Sequence, residues 1–349
     1  GLPLAPALAQ RLLRRAQQGA WTERRDEQPP GSQGLPLFSS DAVAAAYAPL
    51  HSRGRLLGLL ALSTELSPAE ALTDAVAQAL SAAIDFAAVA AALLGPTLQQ
   101  RMEERSTRAG LRDLLDERAF TPVFQPIVRL DDECIVGFET LTRFADGTEP
   151  RERFAQAAAL GMGQELEAAT MAASLSAANG RLDDTWLSVN VSPGFLASGG
   201  PEALARSASV DLVLELTEHD PVEDYADLSR AVERIPAVRL SIDDAGAGYA
   251  CLTHVLALRP AFVKLDRGWV TGIDRDPARQ ALVAGLESFA TRTGSALIAE
   301  GVETSAELQT LRSLGVELGQ GYLLGRPVQV DALDAPGLAL VEGAAPRHR

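Results

Sequence analysis

VFQPIVRLDDECIVGFETL, residues 123–141, holds two apolar runs separated by about five residues that include Asp131 and Asp132. A gap of that length suits a hairpin and leaves no room for a helical crossover. The first run is therefore read as antiparallel to the second. With the turn centred near Asp132, Gln125 comes opposite Glu139. Six more runs follow, TWLSVNVS, DLVLELTE, VRLSIDDA, AFVKLD, SALIAEGV and GQGYLLG, which makes eight. Most of the connections between them are long enough for a helix, as over 153–182 and 276–293. TSAELQTLRSLG, before the last run, reads as a helix with Thr304 or Ser305 as its N-cap and Gly315 as its stop. Strands alternating with helices form parallel sheets, and eight of them predict a closed barrel. The fold class is α/β: a (β/α)8 TIM-like barrel with an antiparallel first strand, preceded by a small α+β region.

Strand side chains alternate between faces. Leu212, Leu214 and Leu216 share one face, and Val213 and Glu215 the other. Leu187 and Val189 oppose Ser188 and Asn190; Leu240 and Ile242 oppose Ser241 and Asp243. Lys264 and Asp266 oppose Val263 and Leu265, Glu300 goes with Ile298, and Glu139 goes with Gly137. In each strand the aliphatic face belongs under a covering helix. The polar residue then points into the barrel near the strand's C-terminal end, where barrel enzymes build their sites. Glu139, Asn190, Glu215, Asp243, Lys264 and Glu300 thus converge. A single inward Glu reads first as half of an ion pair. Four carboxylates and an amide against one lysine exceed that, and their repulsion requires cations or protonation. An all-oxygen donor set favours hard ions, Mg²⁺ or Mn²⁺. Gly246 and Gly248 let the segment after Asp243-Asp244 turn tightly over a ligand.

The 349 residues suffice for two domains. Lys plus Arg is 31 and Asp plus Glu is 46, a formal net charge of −15, which argues against broad binding to a DNA or RNA backbone. Cys134 and Cys251 lack metal-ligand spacing and read as reduced thiols. No signal peptide is visible, and Gly1 in place of Met reads as a cut end. RRDEQPPGSQG, 24–34, reads as a loop; two strands then meet at a turn over Ser52-Arg53-Gly54. The alanine-rich stretch 75–94 has about the length of a membrane span, but it carries Gln78, Ser81 and Asp85. It reads as a buried or partner-packed helix, broken at Gly95-Pro96 and followed by a second, charged helix.

FQPIV, ETLTR, NVSP, ELTE, DDAGAGY, KLD, AEGVE and GQGYLLGRP stand in the order and spacing of the EAL-domain cyclic di-GMP phosphodiesterases, and the chain resembles that family over about 120–330. The resemblance implies hydrolysis of cyclic di-GMP to linear pGpG with two divalent metals, in bacterial cytoplasmic signalling. One metal would be held by Glu139, Asn190, Glu215 and Asp243; the second by Asp243, Asp244 and Glu300. Lys264 would sit near the attacking water, with Glu303 orienting it. Glu218 would anchor the DDAGAG segment, and Arg143 would grip a phosphate oxygen. Gln125, Gln320 and Asp266 are placed in the substrate pocket. Two departures stand out: Glu-Thr-Leu for Glu-Ala-Leu at 139–141, and Ala245 and Ala247 where the family has Phe and Thr. Residues 5–95 resemble, more weakly, the later part of a GAF domain. The expected organisation is a partial GAF-like sensory or dimerisation domain over 1–95, a connecting helix over 96–119 and the barrel over 120–345. A homodimer through either domain is expected. A cyclic di-GMP receptor without turnover is the alternative; such receptors typically lose ligand acids that are intact here.

Overall fold

The computed structural model describes residues 6–24, 44–64, 72–182, 185–206, 208–217, 222, 224–235, 237–245 and 249–333. Most of the expected loop 24–34, Glu218 and the three residues after Ala245 lie outside them, as do the side chains of Asp244 and Ala245. The chain divides into two compact units, 1–109 and 110–349.

The first unit holds α1 (Pro6–Ala16), β1 (Trp21–Arg24), β2 (Ala44–Ser52), β3 (Arg55–Thr64) and most of α2 (Leu72–Asp116). The strands form an antiparallel sheet in the order β1-β2-β3. The expected turn is present: Arg53 and Gly54 both have positive φ, 48° and 78°, the geometry that matches the strand twist. Along β2, Ala46, Ala48 and Leu50 pack against Ala83 and Ala87 of α2. Ala45 and Tyr47, on the other face, pack with Leu12, Ala16 and Trp21.

The structure corrects the expected break at Gly95-Pro96: α2 runs through Pro96 without interruption for 45 residues. Gly95 reflects packing instead of a stop, because a Cβ there would lie 3.0 Å from the Ser52 side chain. An interior proline costs about 3 kcal/mol, and the Ala-, Leu-, Glu- and Arg-rich flanks offset it through their helix propensity. The stretch 75–94, expected to be buried or partner-packed, is buried on one face. Ala75, Ala83 and Ala87 are buried, whereas Phe86, Val89 and Leu93 are exposed. By length and composition α2 is also the one helix among the described residues apolar enough to cross a membrane.

The second unit begins with the hairpin of β4 (Phe120–Arg129) and β5 (Ile135–Phe144), followed by α3 (Pro150–Ala159) and α4 (Gly163–Ala178). Then come β6 (Trp186–Val191), α5 (Pro193–Ala197), α6 (Gly200–Ala205), β7 (Asp211–Leu216), α7 (Tyr225–Glu233) and β8 (Arg239–Ala245). The last part is α8 (Tyr249–Leu258), β9 (Phe262–Leu265), α9 (Arg267–Val270), α10 (Pro277–Thr293), β10 (Ala296–Ala299), α11 (Ser305–Ser313) and β11 (Leu318–Gly319). The eight strands close into a barrel in the order β10-β11-β4-β5-β6-β7-β8-β9. β4 is antiparallel to both of its neighbours, β5 and β11, and the hairpin register sets Gln125 opposite Glu139. The other pairs are parallel. Thr304 caps α11 in a reciprocal pair with Glu307, and Gly315 follows the helix with φ 86°.

The last strand is shorter than expected. Only Leu318 and Gly319 pair, and the chain turns at Gly321. Gly321 passes so close to the backbone of Val302 that a Cβ would lie 2.2 Å from it. This contact pulls the segment out of the ladder and leaves Gln320 at the barrel mouth.

Candidate active site

Each barrel strand sends its aliphatic face outward: Leu187, Val189, Leu212, Leu214, Leu216, Leu240, Ile242, Val263 and Leu265 belong to one core beneath the helices. The inward residues form layers. The floor is Ile127, Trp186, Val213, Phe262, Ile298 and Leu318. Trp186 stacks on Phe262 with centroids 4.9 Å apart, and the Arg239 guanidinium lies over both rings. Two residues further along, the inward position becomes charged on β5, β7, β9 and the end of β10 (Glu139, Glu215, Lys264, Glu300) and uncharged polar on β6 and after β11 (Ser188, Gln320).

Lys264 stands at the centre of that charged layer, 2% exposed. Its Nζ lies 2.5 Å from Glu300 Oε1, 2.6 Å from Glu215 Oε1, 3.3 Å from Glu139 Oε2 and 3.4 Å from Asp243 Oδ1. Asn190 Nδ2 donates to Glu139 Oε1 at 3.1 Å, and Gln320 Nε2 donates to Glu139 Oε2 at 2.6 Å. Gln320 Nε2 also donates to Gln125 Oε1 at 2.9 Å, while Gln125 Nε2 reaches the Gly325 carbonyl at 3.2 Å. Ser188 Oγ donates to Glu215 Oε2 at 2.9 Å.

The electrostatics follow from this crowding. Burial opposes the Lys264 charge, but Glu139, Glu215, Glu300 and Asp243 outweigh it and hold the ammonium well above the usual lysine range. Burial pushes Glu215 well above the carboxylate range, and repulsion from its acidic neighbours adds to it despite Lys264. Burial likewise raises Glu300 to about 7, against the pull of Lys264. Burial also acts on Glu139, yet Lys264, Gln320 and Asn190 win, and its carboxyl lies below the usual range.

The donor set fits a hard divalent cation. Carboxylate oxygens of Glu139, Glu215 and Glu300 lie within 4.8 Å of one another. Asn190 and Asp243 stand beside them, and one ammonium cannot neutralise four carboxylates. The acceptor Gln320 Oε1 is buried there without a hydrogen-bond partner among the described residues. A cavity of about 1330 Å³ is lined by Asn190 and Asp243 at one end and by Ser192, Gln164 and Phe154 further along.

The structure thus brings together Gln125, Glu139, Asn190, Glu215, Asp243, Lys264, Glu300 and Gln320. Glu218 and the Asp244 side chain lie outside the described residues, and Glu303, Asp266 and Arg143 lie apart from this cluster. Glu303 pairs with Arg267 at 2.9 Å and not with Lys264, because the chain turns away at Gly301 (φ 68°). Asp266 Oδ1 accepts from Gly268 N at 2.9 Å and caps α9. Arg143, four residues beyond Glu139, is exposed and donates to the Thr142 carbonyl at 3.1 Å. Ser188 was legible as inward from strand alternation, although nothing in the sequence marks its bond to Glu215.

Residues 108–327 match the model of the EAL domain family. Among curated relatives, the cyclic di-GMP phosphodiesterase PdeL of Escherichia coli is 27% identical over 231 residues, 61% of this chain and 64% of that protein. The chain spans less than two thirds of the length of the curated relatives it matches first, 18%, 30% and 64%. The manganese/cyclic di-GMP complex of Klebsiella pneumoniae BlrP1 has a TM-score of 0.55 at 29% identity, covering 60% of this chain and 56% of that one. The c-di-GMP complex of the PaMucR phosphodiesterase has a TM-score of 0.59 at 26% identity, covering 65% of this chain and 99% of that one.

Proposed function

We propose that this chain, which belongs to the EAL domain family, is a divalent-metal-dependent phosphodiesterase that hydrolyses cyclic di-GMP to linear pGpG. The observation that carries the reading is the convergence of four carboxylates on Lys264 at the mouth of a closed barrel. The manganese complex of BlrP1 with cyclic di-GMP supports the metal and the substrate class.

Glu139, Asn190, Glu215, Asp243 and Glu300, with Asp244 after them, would hold Mg²⁺ or Mn²⁺, two ions to a site. Bound there, such ions activate water and neutralise phosphate charge. Lys264, whose ammonium the four acids hold above the usual lysine range, would supply positive charge where the phosphoryl group gains negative charge. Gln320, whose carboxamide also donates to Gln125, holds one Glu139 oxygen, and Asn190 holds the other. Arg143 would reach a substrate phosphate from its exposed position; Asp266, which caps α9, is placed at the substrate by the family resemblance alone. Glu303 acts on Lys264 only after releasing Arg267. Glu218 anchors the segment after Asp244.

The first unit, with its antiparallel sheet and long helix, is read as a partial GAF-like sensory or dimerising module, and the protein as a cytoplasmic homodimer. The decisive experiment incubates the full chain with cyclic di-GMP and Mg²⁺ or Mn²⁺, with and without chelator, and separates the products. Metal-dependent pGpG is expected. Cyclic di-GMP binding with no pGpG under either metal would replace the enzyme with a receptor.

A further inference from the structure

We propose that Glu167 is a positioning residue for Asn190, acting through the N-cap and first residues of α5 at 192–194. The inference rests on the reading of Asn190 as a metal ligand. Asn190 stands near the end of β6. On one flank that end stays paired with β7, through Asn190 with Glu215 and Val191 with Leu216. On the other flank, pairing with β5 stops at Thr140 with Val189, one residue short of Asn190. Strand pairing alone therefore holds this position from one side only.

Helix α4 supplies the missing side. Glu167 Oε2 accepts from Ser192 N at 2.7 Å, and Glu167 Oε1 accepts from Ser192 Oγ at 2.8 Å. Ser192 Oγ in turn accepts from Phe195 N at 3.1 Å, which caps α5. Gln164, one turn earlier on α4, donates Nε2 to the Gly194 carbonyl at 3.2 Å. Two side chains on one face of α4 thus grip the start of α5, Glu167 at its N-cap Ser192 and Gln164 at Gly194. The bonds to Glu167 are charge-assisted and bidentate, the kind that fixes orientation as well as distance. Two residues before the gripped amide lies Asn190, whose Nδ2 donates to Glu139 Oε1. The clamp thereby fixes the backbone from which the Asn190 carboxamide faces the acids. Ser192, Pro193 and Gly194 line the cavity beside Asn190, so the clamp also sets that wall.

The test is calorimetric titration of Mn²⁺ into the full chain without substrate, so that it reads metal binding and not turnover. Groups that orient metal ligands typically contribute about 10–100-fold in affinity. Glu167→Ala is expected to weaken Mn²⁺ binding about tenfold. Glu167→Gln keeps an acceptor but loses the charge, so a smaller loss is expected; it carries the test if the alanine variant does not fold. Ser192→Ala is expected to act in the same direction, and Glu167→Ala/Ser192→Ala to bind no more weakly than Glu167→Ala alone. Wild-type Mn²⁺ affinity in the Glu167 variants, or additive losses in the double variant, overturns the proposal. Asn190→Ala separates the two levels of inference. If it leaves Mn²⁺ affinity unchanged, the ligand assignment fails; if it weakens binding while Glu167→Ala does not, only the positioning role fails.

Discussion

Replacing Lys264 by methionine removes the charge from the centre of the barrel while keeping most of the volume. In the metal-free chain this leaves Glu139, Glu215, Asp243 and Glu300 facing one another with no cation between them. Deleting one partner of a buried ion pair costs about 3–5 kcal/mol. For a unit of this size that is a melting shift of about 6 to 20 °C. The shift depends on pH in a defined direction. Near pH 5 Glu215 and Glu300, whose carboxyls burial raises above the usual range, Glu300 to about 7, carry protons and the repulsion subsides. At pH 8 they are more ionised and the full loss is expected. Divalent cations supply the missing charge, so saturating Mn²⁺ should narrow the gap between variant and wild type. The assay is thermal unfolding of both proteins in EDTA and in Mn²⁺, at pH 5.5 and pH 8. Equal melting temperatures in EDTA at pH 8 would refute the reasoning, since the acids would then be neutralised without Lys264.

The metal-free wild type should itself lose stability as pH rises. Glu300 titrates near 7 folded against 4.5 unfolded, so the native state retains a proton that the unfolded chain releases between those values. That contribution, about 3 kcal/mol, is present below the window and lost as pH rises through it; urea unfolding in EDTA across pH 5 to 8 measures it, and a flat profile argues against the raised carboxyl. Glu139→Ala should abolish pGpG formation and leave the circular dichroism spectrum unchanged, because removing a carboxylate relieves crowding; near-wild-type turnover would sink its assignment. Gly137→Ala should destabilise the barrel by about 1–3 kcal/mol, because the new Cβ would lie 2.3 Å from the Trp186 ring; denaturant midpoints decide this, with an unchanged midpoint counting against the packing argument.

Strand periodicity made most of the barrel legible. Period two places Glu139, Glu215, Asp243 and Lys264 inward whatever the length of the connecting helices, and a short gap can only be a hairpin. The sequence was a poor guide where a single close contact overrides a local rule. Gly95-Pro96 looks like a helix end, yet the glycine is there to admit Ser52 and the helix continues. GQGYLLG has the composition of a strand, but Gly321 docks on Val302 and draws the segment out of the sheet. Glu303 is three residues from Glu300, and only the turn at Gly301 decides that it meets Arg267 instead of Lys264. The bond from Glu167 to Ser192 joins residues 25 apart, on one helix and at the N-cap of another, and no periodicity links them.

The charge chemistry of the upper layer depends on the packing of the layer beneath. Gly137, Trp186, Val213, Phe262 and Ile298 each precede by two residues the inward members of the charged layer, Glu139, Ser188, Glu215, Lys264 and Glu300. Ile127 stands likewise beside Gln125 on the antiparallel strand, and Leu318 before Gln320. The stacked rings of Trp186 and Phe262 fill the floor because Gly137 has no side chain to compete for the space. A filled apolar floor keeps water from reaching the acids from below. Their charge is then balanced by Lys264 within and by whatever enters through the mouth. This is why burial, ahead of any single neighbour, raises Glu215 and Glu300, and why a cation arriving from the open end would meet carboxylates already stripped of their hydration.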